Sequence, residues 1–107
     1  LKKLLIMEFE HKWEFDSDEE MENTFKGGNK KLHDLIIDVA ITYLKTKEKS
    51  IPVVSIYTSK EDMNYDIMIE RRDMIETLEQ NLIIMEEYED YERCQNILKA
   101  LNYLKSK

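Results

Sequence analysis

The amino-acid sequence predicts an α+β domain dominated by helices: two short strands packed with a central helix, followed by a C-terminal antiparallel helical hairpin. Three observations predict it. Two stretches carry the alternation or β-branched content of strands. Three later stretches repeat apolar residues at helical spacing. Only two Gly and one Pro occur among 107 residues, leaving little material for a loop-built scaffold. A chain of this length is expected to form a single domain over 1–107, with a strand-helix-helix-strand part at 1–57 and the hairpin at 58–107.

The first strand is expected over 5–15. From Met7 to Phe15, Met7, Phe9, His11, Trp13 and Phe15 share one face, and Glu8, Glu10, Lys12 and Glu14 share the other. The charged face suits an edge strand guarded against aggregation. Ser17-Asp18-Glu19-Glu20 has the form of a capping box, so a short helix runs to Lys26. Gly27-Gly28 ends it, because glycine takes the left-handed conformation at helix ends at little cost. Asn29 caps a central helix over 30–46. Its face holds Leu32, Leu35, Ile36, Val39, Ala40, Tyr43 and Leu44, widened by Ile37 and Ile41. Lys45, Lys47 and Lys49 follow at the negative end of its dipole.

Residues 52–57, within Ile51-Pro52-Val53-Val54-Ser55-Ile56-Tyr57, form the second strand, with Pro52 marking a sheet edge or a first strand residue. Thr58-Ser59-Lys60-Glu61 signals another cap. A long helix is then expected over 60–87, with a seam of Met68, Ile75, Leu78, Leu82 and Met85 flanked by Ile67, Met74 and Ile84. A last helix over 90–105 presents Tyr91, Cys94, Ile97, Leu98, Leu101 and Leu104. The two seams cover each other, and Glu86-Glu87-Tyr88-Glu89-Asp90-Tyr91-Glu92 forms the acidic turn.

Acids outnumber bases 23 to 16, for a net charge of −7. The excess is local: residues 61–107 hold twelve acids and six bases, whereas 29–50 hold five Lys against three acids. An acidic surface repels phosphate backbones, which disfavours direct nucleic-acid binding. No apolar run approaches the ~18 residues of a membrane span. The opening Leu1-Lys2-Lys3-Leu4-Leu5-Ile6 is too short for a secretory signal, and Met7 is an alternative start. Cys94 has no second cysteine to bridge, and a reduced, cytoplasmic setting is expected.

The segment 78–101 resembles the UVR motif, a helical hairpin of the B and C subunits of bacterial nucleotide-excision repair and of several unrelated adaptors. Asp90-Tyr91-Glu92 supplies its acidic-aromatic-Glu triplet, Cys94 stands where the family has Ala, and Ile97 and Leu101 occupy its apolar positions. Gln95 and Leu98-Lys99 depart from its pattern. In that family the hairpin mediates protein–protein contact, so the resemblance implies a contact module and not DNA repair.

Chemistry-bearing constellations are sparse. His11 and His33 have no Cys or His at metal-ligand spacing. His33 is expected on a helix surface, and His11 on the apolar strand face, buried or at its rim. Cys94 sits within a helix seam, where a thiol is inert. Gly27-Gly28 lacks the Lys and Ser/Thr of a phosphate loop, and Glu86 to Glu92 lacks the pattern of a calcium loop. Hence neither catalysis nor a metal or cofactor is expected. The expected function is that of a small acidic adaptor or regulatory module acting through its hairpin. Its contact residues would be Glu87, Tyr88, Asp90, Tyr91 and Glu92, its partner another protein with a basic surface or a second copy of the chain. The alternative is an acidic inhibitor that mimics nucleic acid through the row Asp62, Asp66, Asp73, Glu76, Glu79 and Glu86, interrupted by Arg71 and Arg72.

Overall fold

Among the described residues, alternation and helical periodicity give a three-stranded sheet and four α-helices, a helix-dominated α+β architecture. The computed structural model describes residues 9–107. Residues 5–8 of the expected first strand, the opening hexapeptide and Met7 lie outside the described residues. Strand β1 is Lys12–Phe15, followed by helices α1 (Asp18–Phe25) and α2 (Lys30–Thr42). Strands β2 (Ser50–Thr58) and β3 (Met63–Glu70) follow, then a 3-10 turn Arg71–Asp73 and helices α3 (Met74–Glu87) and α4 (Tyr91–Lys105). The described residues group into two compact units, one of 9–28 with 52–68, the other of 29–51 with 69–107.

Helix α1 begins as its sequence dictates. Ser17 accepts from the Glu20 N–H, while Glu20 reaches back to accept from the Asp16 N–H. Gly27 and Gly28 both take positive φ, ending the helix where an L side chain would be strained. Asp18, in the first turn, accepts from Thr58 Oγ1 at 2.6 Å and from the Tyr65 hydroxyl at 3.0 Å. The carboxylate beside it raises the Tyr65 hydroxyl above its ordinary pKa. Phe25 packs edge-on to Phe15 at 5.7 Å and stacks with Trp13 at 6.1 Å. His11 is exposed, and its carbonyl accepts from the Ser55 N–H.

The sheet order is β1-β2-β3, and β1 runs parallel to β2 with Lys12 opposite Ser55 and Phe15 opposite Thr58. The connection from β2 to β3 spans only residues 59–62, so those strands are antiparallel. Asp62 turns that corner with φ of 52°, a conformation Asp tolerates, and accepts from the Tyr57 hydroxyl at 2.7 Å. Ser50 bonds the Glu70 carboxylate and Ser55 bonds that of Asp66. Burial in β2 changes phase midway, since Val53 and Val54 are both buried.

The strand β3 corrects the expected long helix. Residues 63–70 are sheet and 71–73 a 3-10 turn, so the expected helix over 60–87 survives only from Met74. Tyr65, Ile67 and Ile69 turn inward and alternate with exposed Asn64, Asp66 and Glu70, and that period of two wins over the accidental heptad step from Met68 to Ile75. Pro52 is corrected too. It lies inside the central strand, tolerated because β1 pairs only with residues 55–58.

In the second unit α2 packs on both α3 and α4, and α3 packs on α4. Asn29 caps α2 by accepting from the Leu32 N–H. The helix stops at Thr42 rather than 46, its end tightening through bonds from Leu44 to Ile41 and from Thr46 to Tyr43. Arg71 holds the loop beyond. Its guanidinium donates to the carbonyls of Leu44 and Glu48 and to Thr46 Oγ1, and its N–H donates to the Lys49 carbonyl. Arg71 is therefore the clasp on the end of α2.

The connection between α3 and α4 is three residues long, and Lys105 near the end of α4 pairs with Glu79 early in α3 at 2.9 Å, so the pair is antiparallel. Its seam is rotated from the expected one. Met74, Leu78, Asn81 and Met85 are buried in α3, while Ile75 and Ile83 are exposed. In α4 Cys94, Ile97, Ala100 and Leu101 are buried, while Tyr91 and Leu98, expected within the seam, are 63% and 42% exposed. The third helix explains the rotation, because each hairpin helix must bury a face broad enough for two neighbours. Asn81 is buried because it meets His33 across α2 and α3. Its amide donates to the Thr77 carbonyl, so its oxygen accepts from His33 Nδ1 at 3.0 Å. His33 is thus half-buried and bonded, not the surface residue expected.

Candidate functional site

The turn between α3 and α4 is built to hold its side chains out. Tyr88 ends α3, Glu89 adopts φ of 58°, and Asp90 starts α4. The Asp90 N–H donates to the Met85 carbonyl and the Glu89 N–H to the Glu86 carbonyl, satisfying two groups the helix end leaves without partners. Glycine is the usual occupant of that left-handed position, and a residue with a Cβ there costs about 1 kcal/mol. Here the position carries an exposed glutamate.

The five residues expected to make contacts do gather at this turn, but they divide by duty. Asp90 belongs to the fold. It caps α4 by accepting from the Arg93 N–H, and its other oxygen takes Lys30 at 2.9 Å and Arg93 Nη1 at 3.4 Å. The Lys30 hydrogen bond, then the Arg93 N–H, hold its carboxyl below the ordinary range. Glu87 and Glu92 are exposed, as are Tyr88 at 48% and Tyr91 at 63%. Lys30 also lies over the Tyr88 ring at 5.8 Å and steadies it.

Behind the tip, sequence separation hid an ionic cluster. Arg93 meets Asp34 at 3.3 Å through Nε and Asp38 at 3.2 Å through Nη2, and Lys30 meets Asp34 at 3.1 Å. The Nε contact is an ion pair without hydrogen-bond alignment, so that N–H has no hydrogen-bond acceptor. Burial opposes the Arg93 charge, yet the carboxylates of Asp38 and Asp34 win and raise its pKa. Three acids and two bases thus fasten α2 to the start of α4. Cys94, one residue on, is buried, and that burial, with Glu86 and Asp90, pushes its thiol up and keeps it protonated.

At the opposite end of α2 and α4 lies a cavity of about 280 Å³ lined by Ile41, Leu44, Lys45, Asn96, Lys99, Ala100 and Tyr103. Lys45 and Lys107 stand over the Tyr103 ring at 5.1 and 4.5 Å. The signal for this basic rim was legible as Lys99, Tyr103 and Lys107 at helical spacing.

Among the described residues, no group of three His, Cys, Asp or Glu side chains is placed to hold a metal ion. No helix there is long and apolar enough to cross a membrane. Neither a protein-family model, nor a curated protein, nor a solved structure matches the chain.

Proposed function

We propose that this chain is a cytoplasmic protein-contact module, an adaptor or regulator without catalytic activity, that docks another protein through the tip of its C-terminal hairpin. The carrying observation is Glu89, a charged residue kept in a left-handed turn position that glycine would fill more stably. It is flanked by two tyrosines that point into water. Exposed tyrosines among carboxylates suit a basic partner surface, the ring giving buried area and the acids giving orientation and encounter rate. The resemblance of 78–101 to the UVR hairpin supports the same reading. The nucleic-acid mimic has less support. Its acid row does not share one helix, because Asp62 is in the β2–β3 turn, Asp66 on β3 and Asp73 in a 3-10 turn.

The test pairs stability with capture from the native cell. Glu89→Gly is expected to raise stability by about 1 kcal/mol in chemical denaturation and, together with Tyr91→Ala, to lose the proteins that the wild-type chain retains. An unchanged set of captured proteins from the Glu89→Gly/Tyr91→Ala variant would remove the tip as the contact surface.

A further inference from the structure

We propose that one partner of the hairpin is a second copy of this chain, laid antiparallel along α4 so that the acidic tip of each copy sits on the basic groove of the other. The inference rests on reading the tip as a docking element, and names its occupant. Its basis is a polarity of charge along one stripe. Glu92, Asn96, Lys99 and Tyr103 follow at intervals of four, three and four along α4, and Lys107 comes four residues later, just past its end. All but Tyr103 are exposed. The stripe starts acidic, next in sequence to Glu89 and Glu87, and ends basic, by Lys45 in the turn that follows α2. Among the described residues, Lys45, Lys99 and Lys107 enter no ion pair, although the chain carries seven more acids than bases. Two such cations, Lys45 and Lys99, line a largely apolar cavity of about 280 Å³ and the third, Lys107, stands over its Tyr103, an arrangement that calls for an anionic partner with an aromatic or aliphatic body.

The tip has that chemistry, and the register closes. If Glu92 of one copy faces Lys99 of the other, the reverse pair forms as well, because a two-fold interface is self-complementary. The axis then falls between Gln95 and Asn96, both exposed and both uncharged, so no like charges meet on it. The parallel register would set Glu92 against Glu92 and Lys99 against Lys99, and charge repulsion excludes it.

Sedimentation of the whole chain across micromolar to millimolar concentration tests this. A concentration-dependent dimer is expected, weakened as salt is added. Glu92→Lys and Lys99→Glu should each raise the dissociation constant by about tenfold or more. Combining them in one chain should restore it to within about threefold of wild type, because the swapped charges pair again across the axis. Unchanged circular dichroism of all three variants establishes that folding is not at issue. A strict monomer, a dimer indifferent to either single variant, or a double variant weaker than both singles would each overturn the inference. If the chain is monomeric while its capture of another protein still depends on Glu89 and Tyr91, self-docking falls and the contact-module reading stands.

Discussion

Leu78→Ala is expected to lower the unfolding free energy by about 3 kcal/mol, while Ile83→Ala and Leu98→Ala stay within about 0.5 kcal/mol of wild type. All three are large aliphatic residues of the same hairpin, so composition does not separate them; placement does. Leu78 has no exposed surface, on the face of α3 that also carries Met74, Asn81 and Met85. Removing its side chain loses both the transfer energy and the contacts around the cavity left behind. Ile83 keeps 59% of its surface in water and Leu98 42%, so truncation there forfeits little, and alanine is the better helix former. Chemical denaturation followed by circular dichroism reads all three. Equal losses at Leu78 and Ile83 would return the seam to a symmetric two-helix zipper.

Arg93→Leu should cost about 2 kcal/mol, below the usual loss for one member of a buried pair because the side chain keeps 30% of its surface exposed. The substitution leaves Asp34, Asp38 and Asp90 facing one another with Lys30 as their remaining cation. The loss should depend on pH. Asp90 has a folded pKa below its unfolded value of about 3.9, so its contribution is complete above that value and lost as pH falls through the folded one. The variant takes away one of the donors that lower it. Its disadvantage should be greatest near neutral pH and shrink as the Asp90 carboxylate protonates. Unfolding free energies of both proteins from pH 7 down to about pH 3 check this, and a difference that does not change with pH would assign the cost to lost packing alone.

Two caps were legible from sequence because they are local: Ser17 and Asn29 each accept from an N–H three residues on. The third expected cap, Thr58-Ser59-Lys60-Glu61, starts no helix, because Thr58 ends β2 and 59–62 turn into β3. Strand β3 was not legible as such. Ile67-Met68-Ile69 is a continuous apolar run that satisfies both periods, and only its pairing with β2 decides between them. The seam of α3 was misphased for a related reason. Leu82, Ile83, Ile84 and Met85 are consecutive apolar residues, so the buried face is set by α2, which the α3 pattern does not encode. At the candidate site the tip itself was visible as acids and tyrosines between two periodic stretches. The separate duty of Asp90 was not, because Lys30 lies sixty residues away in the chain. Nor could sequence show that the turn holds Glu89 in a left-handed conformation where glycine is the usual choice.

The account depends most on the hairpin tip being where another protein touches this one. A photo-reactive aromatic amino acid placed at Tyr91, with the same group at Asn64 on β3 as reference, measures that directly inside the native cell. Both positions are exposed, so both variants should fold as wild type does. Irradiation is expected to give discrete higher-mass adducts from position 91 and none of comparable yield from position 64. Adducts from position 64 alone, or equal yields from the two, would contradict the account.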